Sequence, residues 1–474
     1  MTIREGRIPE PASDPKVQVV QLARALTSLG LLDVRGRVSA RLDGRIVTTP
    51  RPGRGAPPPG HMAVEDLVEV GFDGGVRQGR WDPPVEIGVD LAIYRRRPHA
   101  GAIVHAQPRT VLAFAAAGRD LLPLTHTESA LVHRSLPRIA LGTPLASPEE
   151  ADRIVRSLGD SAVAILAGDG SLAIGRIPAE AAILTQQLEL LARSNALALE
   201  LSAPGSPKVV DAADSERIDG QKAPTDDFMD YYADVAAHRP VGTVPPAPDD
   251  SEGGLRRRIV LACRLLYHHG LIEHLEHVSV RAGDGSSFLI TPRGHLGRLE
   301  PEQIATVDME GRWVAGPLEP PPFRRFHRDI LLARPEVLAI VHTHQPHARA
   351  MAVAGVALRP LHRSGAAELL GPQPVYDVPD LMFDAEHRRA AVSLLGAATM
   401  LHERSHGVDF LSETVEAATV RALHYEDQAR VHLVASRLGS PAALHDDMVE
   451  AARRIDPTPF DWWRHHLAEL PSID

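Results

Sequence analysis

Two stretches of this chain share one grammar. Tyr94–Pro108 reads YRRRPHAGAIVHAQP, and Leu331–Pro346 reads LLARPEVLAIVHTHQP. Aligning Arg97-Pro98 on Arg334-Pro335 sets an offset of 237 residues. The same offset maps His105 onto His342, Asp90 onto His327, and Asp169-Gly170 onto His406-Gly407. It changes only near the starts of the two halves, where VSARLDG from Val38 matches VSVRAGDG from Val278 at 240. A period of this length is that of a domain, so the chain is two homologous units and not a solenoid. With 474 residues in all, each unit is long enough to bury its own core.

The repeat predicts one unit over residues 15–203, a linker over 204–252, a second unit over 253–440 and an extension over 441–474. The linker stretch is rich in Pro, Asp and Ala and sustains no apolar period; one short helix is expected around Phe228–Ala237. Each half opens with an amphipathic helix (VQVVQLARALTSLGLL; LRRRIVLACRLLYHHGLI) and continues into short β-rich runs (RIVTTP; SSFLITP). A helix then leads to the apolar strand AIVHA or AIVHTH, and a long helix closes the half. Strands interleaved with helices and hairpins predict a three-layer α/β/α unit with a mixed sheet. The two adjacent tryptophans of the tail, Trp462 and Trp463, are expected to pack onto the domain.

Composition removes several classes of function. Lys+Arg is 51 against 61 Asp+Glu, a formal charge of −10, which argues against a general nucleic-acid or anionic-membrane binder. No apolar run reaches the roughly 18 residues of a membrane span, and the N-terminal residues carry no signal-peptide pattern, so the cytoplasm is the expected location. A single cysteine, Cys263, excludes an internal disulfide and any CxxC metal site. The three lysines, Lys16, Lys208 and Lys222, sit in Pro- or Asp-containing stretches, whereas imine catalysis needs a desolvated lysine.

The sharpest chemical feature is His342-Thr343-His344. It ends an apolar strand, where residues two apart face the same side, so both imidazoles can share one metal ion. His406, before Gly407 and its expected tight turn, is a third candidate. Three imidazoles with open positions make a catalytic site. Alone, the HxH pattern also fits a histidine-rich surface loop in a chain with 24 histidines.

Taken together, these motifs resemble the class II aldolase/adducin superfamily. The family runs P-S-S-E-x-x-x-H, R-P, H-T-H and, further on, H-G; the second half reads PPPFRRFH, ARPE, IVHTHQPH and SHGVD, with ITPRG at Ile290–Gly294 and VDMEG at Val307–Gly311. The resemblance implies two tandem three-layer α/β/α domains with mixed, largely antiparallel sheets. It also implies His342, His344 and His406 as ligands of a divalent metal ion, zinc first, with manganese or iron(II) as alternatives. Phe323 stands where the family's catalytic glutamate would be, in a position to line the substrate. Pro321 and Pro322 replace serines that help hold phosphate in sugar-phosphate members, so a phosphorylated substrate is not expected.

The first half shows the complementary loss. Glu86 keeps the glutamate, but His105-Ala106-Gln107 replaces HxH, and Asp169 and Asp90 replace His406 and His327. Its expected role is a degenerate domain retained for assembly, with a cation held by His105, Gln107 and Asp169 as the sharper alternative.

Keeping the three histidines without the glutamate favours decarboxylation over aldol chemistry. Loss of CO2 leaves an electron pair behind, and no base is needed to create it. Arg293, in a turn beside the expected pocket, suits a substrate carboxylate. The stretch Leu358–Leu381 resembles the dihydroxyphthalate-type decarboxylase branch, which implies a hydroxylated aromatic acid as small-molecule substrate. His327 and His362 are the candidate proton donors, since imidazole titrates near 6.5. A retro-aldol lyase, an iron oxygenase and a non-catalytic adducin-like assembly module are the alternatives. The family's fourfold rings imply a homodimer whose four half-chain units form a pseudo-tetramer, with the first half supplying wall residues to the second half's site.

Overall fold

The computed structural model describes residues 14–53, 55–125, 128–133, 136–140, 147–201, 209–220, 228–238, 249–378, 382, 384–404, 406–467 and 469–470. Each half builds one eight-stranded sheet. The first contains β1 (Arg37–Leu42), β2 (Arg45–Thr48), β3 (Val68–Gly71), β4 (Val76–Gln78), β5 (Ala102–Ala106), β6 (Arg138–Ala140), β7 (Val163–Ala167) and β8 (Gly170–Gly175). The second contains β9 (His277–Arg281), β10 (Ser287–Ile290), β11 (Ala305–Asp308), β12 (Trp313–Ala315), β13 (Ala339–Thr343), β14 (Val375–Tyr376), β15 (Met400–Glu403) and β16 (Gly407–Ser412).

The strand orders are β4-β3-β2-β1-β5-β8-β7-β6 and β12-β11-β10-β9-β13-β16-β15-β14, the same order in both halves. Neighbours run antiparallel except β6 with β7 and β14 with β15, so the sheets are mixed and largely antiparallel, as expected. The repeat in sequence is therefore a repeat in structure. Its drift near the start of each half has a local cause. The offset is 240 at β1 and β9, the longer β9–β10 turn raises it to 242 at β2 and β10, and the loop over 49–67, five residues longer than its counterpart over 291–304, brings it to 237 at β3 and β11.

Alternation along the strands makes the three layers. On β13, Ala339 and Val341 pack with the helices Glu252–His268 and Val415–Leu438. Ile340 points the other way, into a cluster with Phe326 and Ile330 of helix Arg324–Ala333 and Ala391 of helix Ala385–Leu395. Both faces are covered, so the strand reads as a continuous apolar run. His342 follows Ile340 in this alternation and comes out on the same face as Phe323.

The halves meet through the helix Arg109–Ala116. Its Leu112, Ala113 and Ala116 pack on Leu361, Val431 and Ala435, and Arg109 Nε lies 2.7 Å from Asp427 Oδ2. Within the stretch read as a linker, a helix at Phe228–His238 stands where one was expected, and Ala212–Gly220 adds another. The first is not a free spacer. Tyr232 is buried against the opening helix Pro15–Ser28, and its hydroxyl donates to Gln186 at 3.0 Å. Residues 221–227 and 239–248, with Lys208 and Lys222, lie outside the described residues. The C-terminal helix Pro459–Leu467 buries both Trp462 and Trp463 in the second half's core, so the tail packs onto the domain. Among the described residues, no helix is long and apolar enough to cross a membrane.

Trp463 is only 2 % exposed. Trp463→Ala should lower the unfolding free energy by about 3–5 kcal/mol, the usual cost of removing a buried large aromatic. Urea denaturation checks this, and a change below about 1 kcal/mol would mean that the tail is peripheral to the core.

Candidate metal centre

The structure brings His342, His344 and His406 together: one nitrogen from each lies within 4.8 Å of the others. Their rings sit 4.9–5.2 Å apart, centroid to centroid. His342 Nε2 and His344 Nε2 are 3.3 Å apart. Neighbouring ligand atoms on a tetrahedral zinc with bonds of about 2.0 Å stand about 3.3 Å apart, so the spacing fits. Gly407 matters here through space and not through a special turn conformation. A Cβ at that position would lie 2.5 Å from Thr343 O and 2.9 Å from both His342 Cε1 and His344 Cδ2.

Each imidazole is tied from behind by its own carboxylate. His342 Nδ1 is 3.0 Å from Asp409 Oδ1, His344 Nδ1 is 2.8 Å from Glu276 Oε1, and His406 Nδ1 is 2.7 Å from Glu403 Oε2. An Nδ1–H donated to a carboxylate leaves the lone pair on Nε2, the tautomer a metal ligand requires. Burial, with His342 and His344 adding to it, pushes His406 down to about 3, so it is uncharged near neutral pH. Burial raises the Glu276 carboxyl, but the bond from His344 and backbone N–H groups outweigh that and hold it at about 2. The donor set suits a divalent ion of the zinc class.

None of the three carboxylates was singled out from the sequence, although each had a signal. Asp409 pairs in register with His342 across β13 and β16, and Glu403 pairs with Gly407 across the adjoining hairpin. Glu276 precedes His277, the register partner of His342 on β9. His277 was missed as well. Its ring stacks on Phe323 at 5.0 Å and 16° and lies 5.4 Å from His342.

Phe323 is 4 % exposed, and its ring lies 5.0 Å from His342 and 5.6 Å from His406. An apolar wall therefore stands against the imidazoles at the position of the lost glutamate. His327 is fully buried; its Nδ1 is 2.7 Å from Ser279 Oγ, and its Nε2 has no hydrogen-bond partner among the described residues. Burial pushes it down to about 4, with His342 adding to the effect and Asp409 opposing it. It is therefore uncharged at neutral pH and is not the imidazolium donor that its ordinary pKa suggests.

Two other expected residues are placed differently. Thr291 N donates to Val278 O beside His277, and Arg293 follows two residues later, exposed, with no ion pair among the described residues. His362 is not part of the cluster. It is fully buried at the junction of the halves, its nearest charged partner is Asp427 at 3.7 Å, and burial pushes it down to about 3. Within the chain, the structure therefore does not bring His362 to the histidine cluster.

In the first half the equivalent slot is filled by arginine. Asp169 Oδ1 lies 3.0 Å from both Arg35 and Arg363, and Asp169 Oδ2 is 3.1 Å from His105 Nε2. Arg37 bonds Asp90 and lies 2.7 Å from His105 Nδ1. Arg363 reaches across from the second half and also meets Glu86 at 3.3 Å and Asp456 at 2.7 Å. Gln107 turns its Oε1 to Asp33 N, at 3.2 Å. Burial raises the Asp169 carboxyl, but Arg363, His105 and Arg35 hold it well below the usual carboxylate range. Two guanidiniums on one oxygen of that carboxylate supply positive charge from within the chain. Within the chain, the second half completes the first half's slot, and every residue named above in the histidine cluster belongs to the second half.

A model of the class II aldolase and adducin N-terminal domain matches residues 17–196 and 257–433. The chain is 32 % identical over 206 residues to 5-methylthioribulose-1-phosphate/5-deoxyribulose-1-phosphate aldolase from Rhodospirillum rubrum, covering 40 % of this chain and 89 % of that protein. It is 31 % identical over 241 residues to 3,4-dihydroxyphthalate decarboxylase from Arthrobacter keyseri, covering 47 % and 96 %. Among solved structures, L-fuculose 1-phosphate aldolase from Glaciozyma antarctica matches at 19 % identity with a TM-score of 0.41, covering 47 % of this chain and 91 % of that one.

Two outcomes follow. Asp409→Asn keeps the shape but weakens the tie on His342, and should reduce metal affinity about 10–100-fold in chelator competition; an unchanged affinity would remove the orienting role. Arg363→Ala strands Asp169, Glu86 and Asp456 and should cost about 3–5 kcal/mol of stability by urea denaturation at pH 7. Asp169 titrates lower folded than unfolded, so its contribution is present above its unfolded pKa and lost as pH falls. The difference between wild type and variant should therefore persist to about pH 5 and shrink below about pH 4; a difference that grows with acid would contradict this assignment.

Proposed function

The chain belongs to the class II aldolase and adducin family, and from that premise we propose that it is a metal-dependent carbon–carbon lyase that decarboxylates a hydroxylated aromatic carboxylic acid. The observation that carries this reading is the three-imidazole cluster walled by Phe323 where an acid/base carboxylate would stand. The similarity to dihydroxyphthalate decarboxylases supports it. His342, His344 and His406 would hold the ion, zinc first, with manganese or iron(II) as alternatives. When bound, the ion supplies Lewis-acid stabilisation of negative charge developing on a substrate oxygen.

The chain's own residues do the rest. Asp409, Glu276 and Glu403 fix the imidazoles, so little reorganisation is needed during reaction. Phe323 and His277 form a flat wall against which an aromatic ring can lie, and they exclude water from that side. A proton from water first adds to the ring carbon that bears the carboxylate, while the hydroxyl conjugated with that carbon gives up its own proton to become a carbonyl. The bond between that carbon and the carboxylate then breaks, CO2 leaves, and the electron pair passes through the ring to that oxygen, which restores the aromatic ring and, with a proton from water, the hydroxyl. No residue has to remove a proton from carbon, which is why phenylalanine is tolerated at position 323. His327, uncharged, can hold its remaining proton toward a substrate oxygen from Nε2 if Nδ1 accepts from Ser279. Arg293, free at the rim, is the proposed partner for a second carboxylate.

The assembly we propose is a cytoplasmic homodimer of four half-chain units. What supports it is the one-directional contact within the chain, where the second half enters the first half's slot, since head-to-tail contacts close into rings.

The test supplies the purified chain with zinc, manganese or iron(II) and screens dihydroxylated benzoic and phthalic acids for CO2. Release should depend on metal and fall at least about 1000-fold in His342→Ala/His344→Ala. Aldehyde release from a non-phosphorylated hydroxycarbonyl compound, without CO2 from any acid, would replace this reading with the retro-aldol one that the aldolase relative favours. Neither product with any metal would return the chain to an assembly role.

A further inference from the structure

A second cluster of metal-binding side chains lies outside the site described above. His269 caps the helix Glu252–His268, and His466 and Glu469 belong to the C-terminal tail, about 200 residues further along the chain. One donor atom from each lies within 4.8 Å of the others. His269 Nε2 is 2.9 Å from Glu469 Oε2, and His466 Nδ1 is 3.3 Å from Glu469 Oε1. These are the separations expected between neighbouring ligands on an ion with bonds of about 2.0–2.2 Å.

The surroundings hold the set in place. Glu469 N donates to His466 O at 2.9 Å, closing the turn that brings the two side chains together. The Trp462 ring lies nearly parallel to His466, at 5.9 Å and 25°, and is itself buried in the core. His465 Nε2 approaches the same carboxylate at 3.6 Å. All three members line a cavity of about 1000 Å³ between the halves, which also receives Asp33, Arg109 and Glu189 from the first half. The arginines that line it are engaged already: Arg109 and Arg430 with Asp427, and Arg193 with Glu189.

We propose that His269, His466 and Glu469 bind a second divalent ion of the zinc class, with an open coordination position facing the cavity between the halves. Two imidazoles and one carboxylate are the donor set of zinc sites that keep a position for water or substrate. The ion joins the end of an early helix of the second half to the chain's tail, so it closes a loop of about 200 residues and adds stability to the docking of the tail. The site shares no ligand with the histidine cluster of β13 and β16 and does not rest on the proposed reaction.

Zinc content decides between the two sites. The full chain, His342→Ala/His344→Ala, His269→Ala/Glu469→Gln and their combination are loaded with zinc, desalted and measured by plasma mass spectrometry. The expected contents are about two, one, one and zero ions per chain. Equal content in the wild type and His269→Ala/Glu469→Gln would overturn the second site. Loss of an ion in His269→Ala/Glu469→Gln with none lost in His342→Ala/His344→Ala would support it while removing the metal from the proposed function. His269 is exposed, so His269→Ala alone tests the site if the double variant fails to fold. Crystals of the wild type soaked in zinc should give an anomalous peak between His269 Nε2 and Glu469; its absence, with a peak at His342, would overturn the proposal by a route that needs no variant.

Discussion

Three imidazole lone pairs cannot face one point in a protein interior unless something fixes which nitrogen carries the proton and a cation offsets their mutual repulsion. The second half meets the first condition with three buried acids, one behind each ring. Much of the local architecture follows from that requirement. β13 is hydrogen-bonded on both edges, to β9 and β16, so His342 has no freedom to turn away from Asp409. The hairpin of β15 and β16 must bring Glu403 close to His406 while passing the imidazoles at a distance that admits no Cβ, hence Gly407. A donor set built this way is expensive to keep in the absence of its ion, because two Nε2 atoms then oppose each other at 3.3 Å.

The first half preserves the frame and reverses the charge. Where the second half has His406, it has Asp169; where the second half has His277, it has Arg37. The carboxylate is then neutralised from within the chain, by Arg35 beside it and by Arg363 from the other half. Fixed guanidiniums replace an exchangeable ion. Part of the cost of burying Asp169 and Glu86 is met by Arg363, whose contacts exist only when the halves are docked, so this slot is part of the joint.

How far residues alone could reveal this depended on whether a signal was local. The duplication, the strand AIVHTH and the three histidines were legible because strand alternation and a constant offset are properties of the sequence itself. Asp409, Glu276 and Glu403 were not, because a carboxylate behind an imidazole is defined by strand register, and register between β9, β13 and β16 depends on pairings across 60 residues or more. His362 illustrates the opposite case. It stands near the motif in sequence, but the loop carrying it leaves the sheet and joins the other half, where Arg363 N bonds Gly168 O. A motif can place a side chain on a strand; it cannot say which unit a loop will visit.

The tail makes the same point about extensions. PFDWWRHHLAEL reads as a short amphipathic helix with two tryptophans, and both tryptophans do enter the core. Once they are anchored, the helix has no rotational freedom left, and its remaining side chains are carried to fixed positions. His466 is held beside Trp462, and Glu469 follows at the next turn, opposite His269 at the end of an early helix. Hydrophobic burial thus does for this cluster what strand register does for His342, His344 and His406. In both places a nondirectional or repetitive force sets the backbone, and the directional donors follow from where that backbone must run. In the first set His342 is fully buried against Phe323 and His344 and His406 are partly buried, whereas in the second His269 stands open to the cavity. At the second set an open position would let the ion take water or a small ligand while its bonds to the chain tie the tail to the early helix.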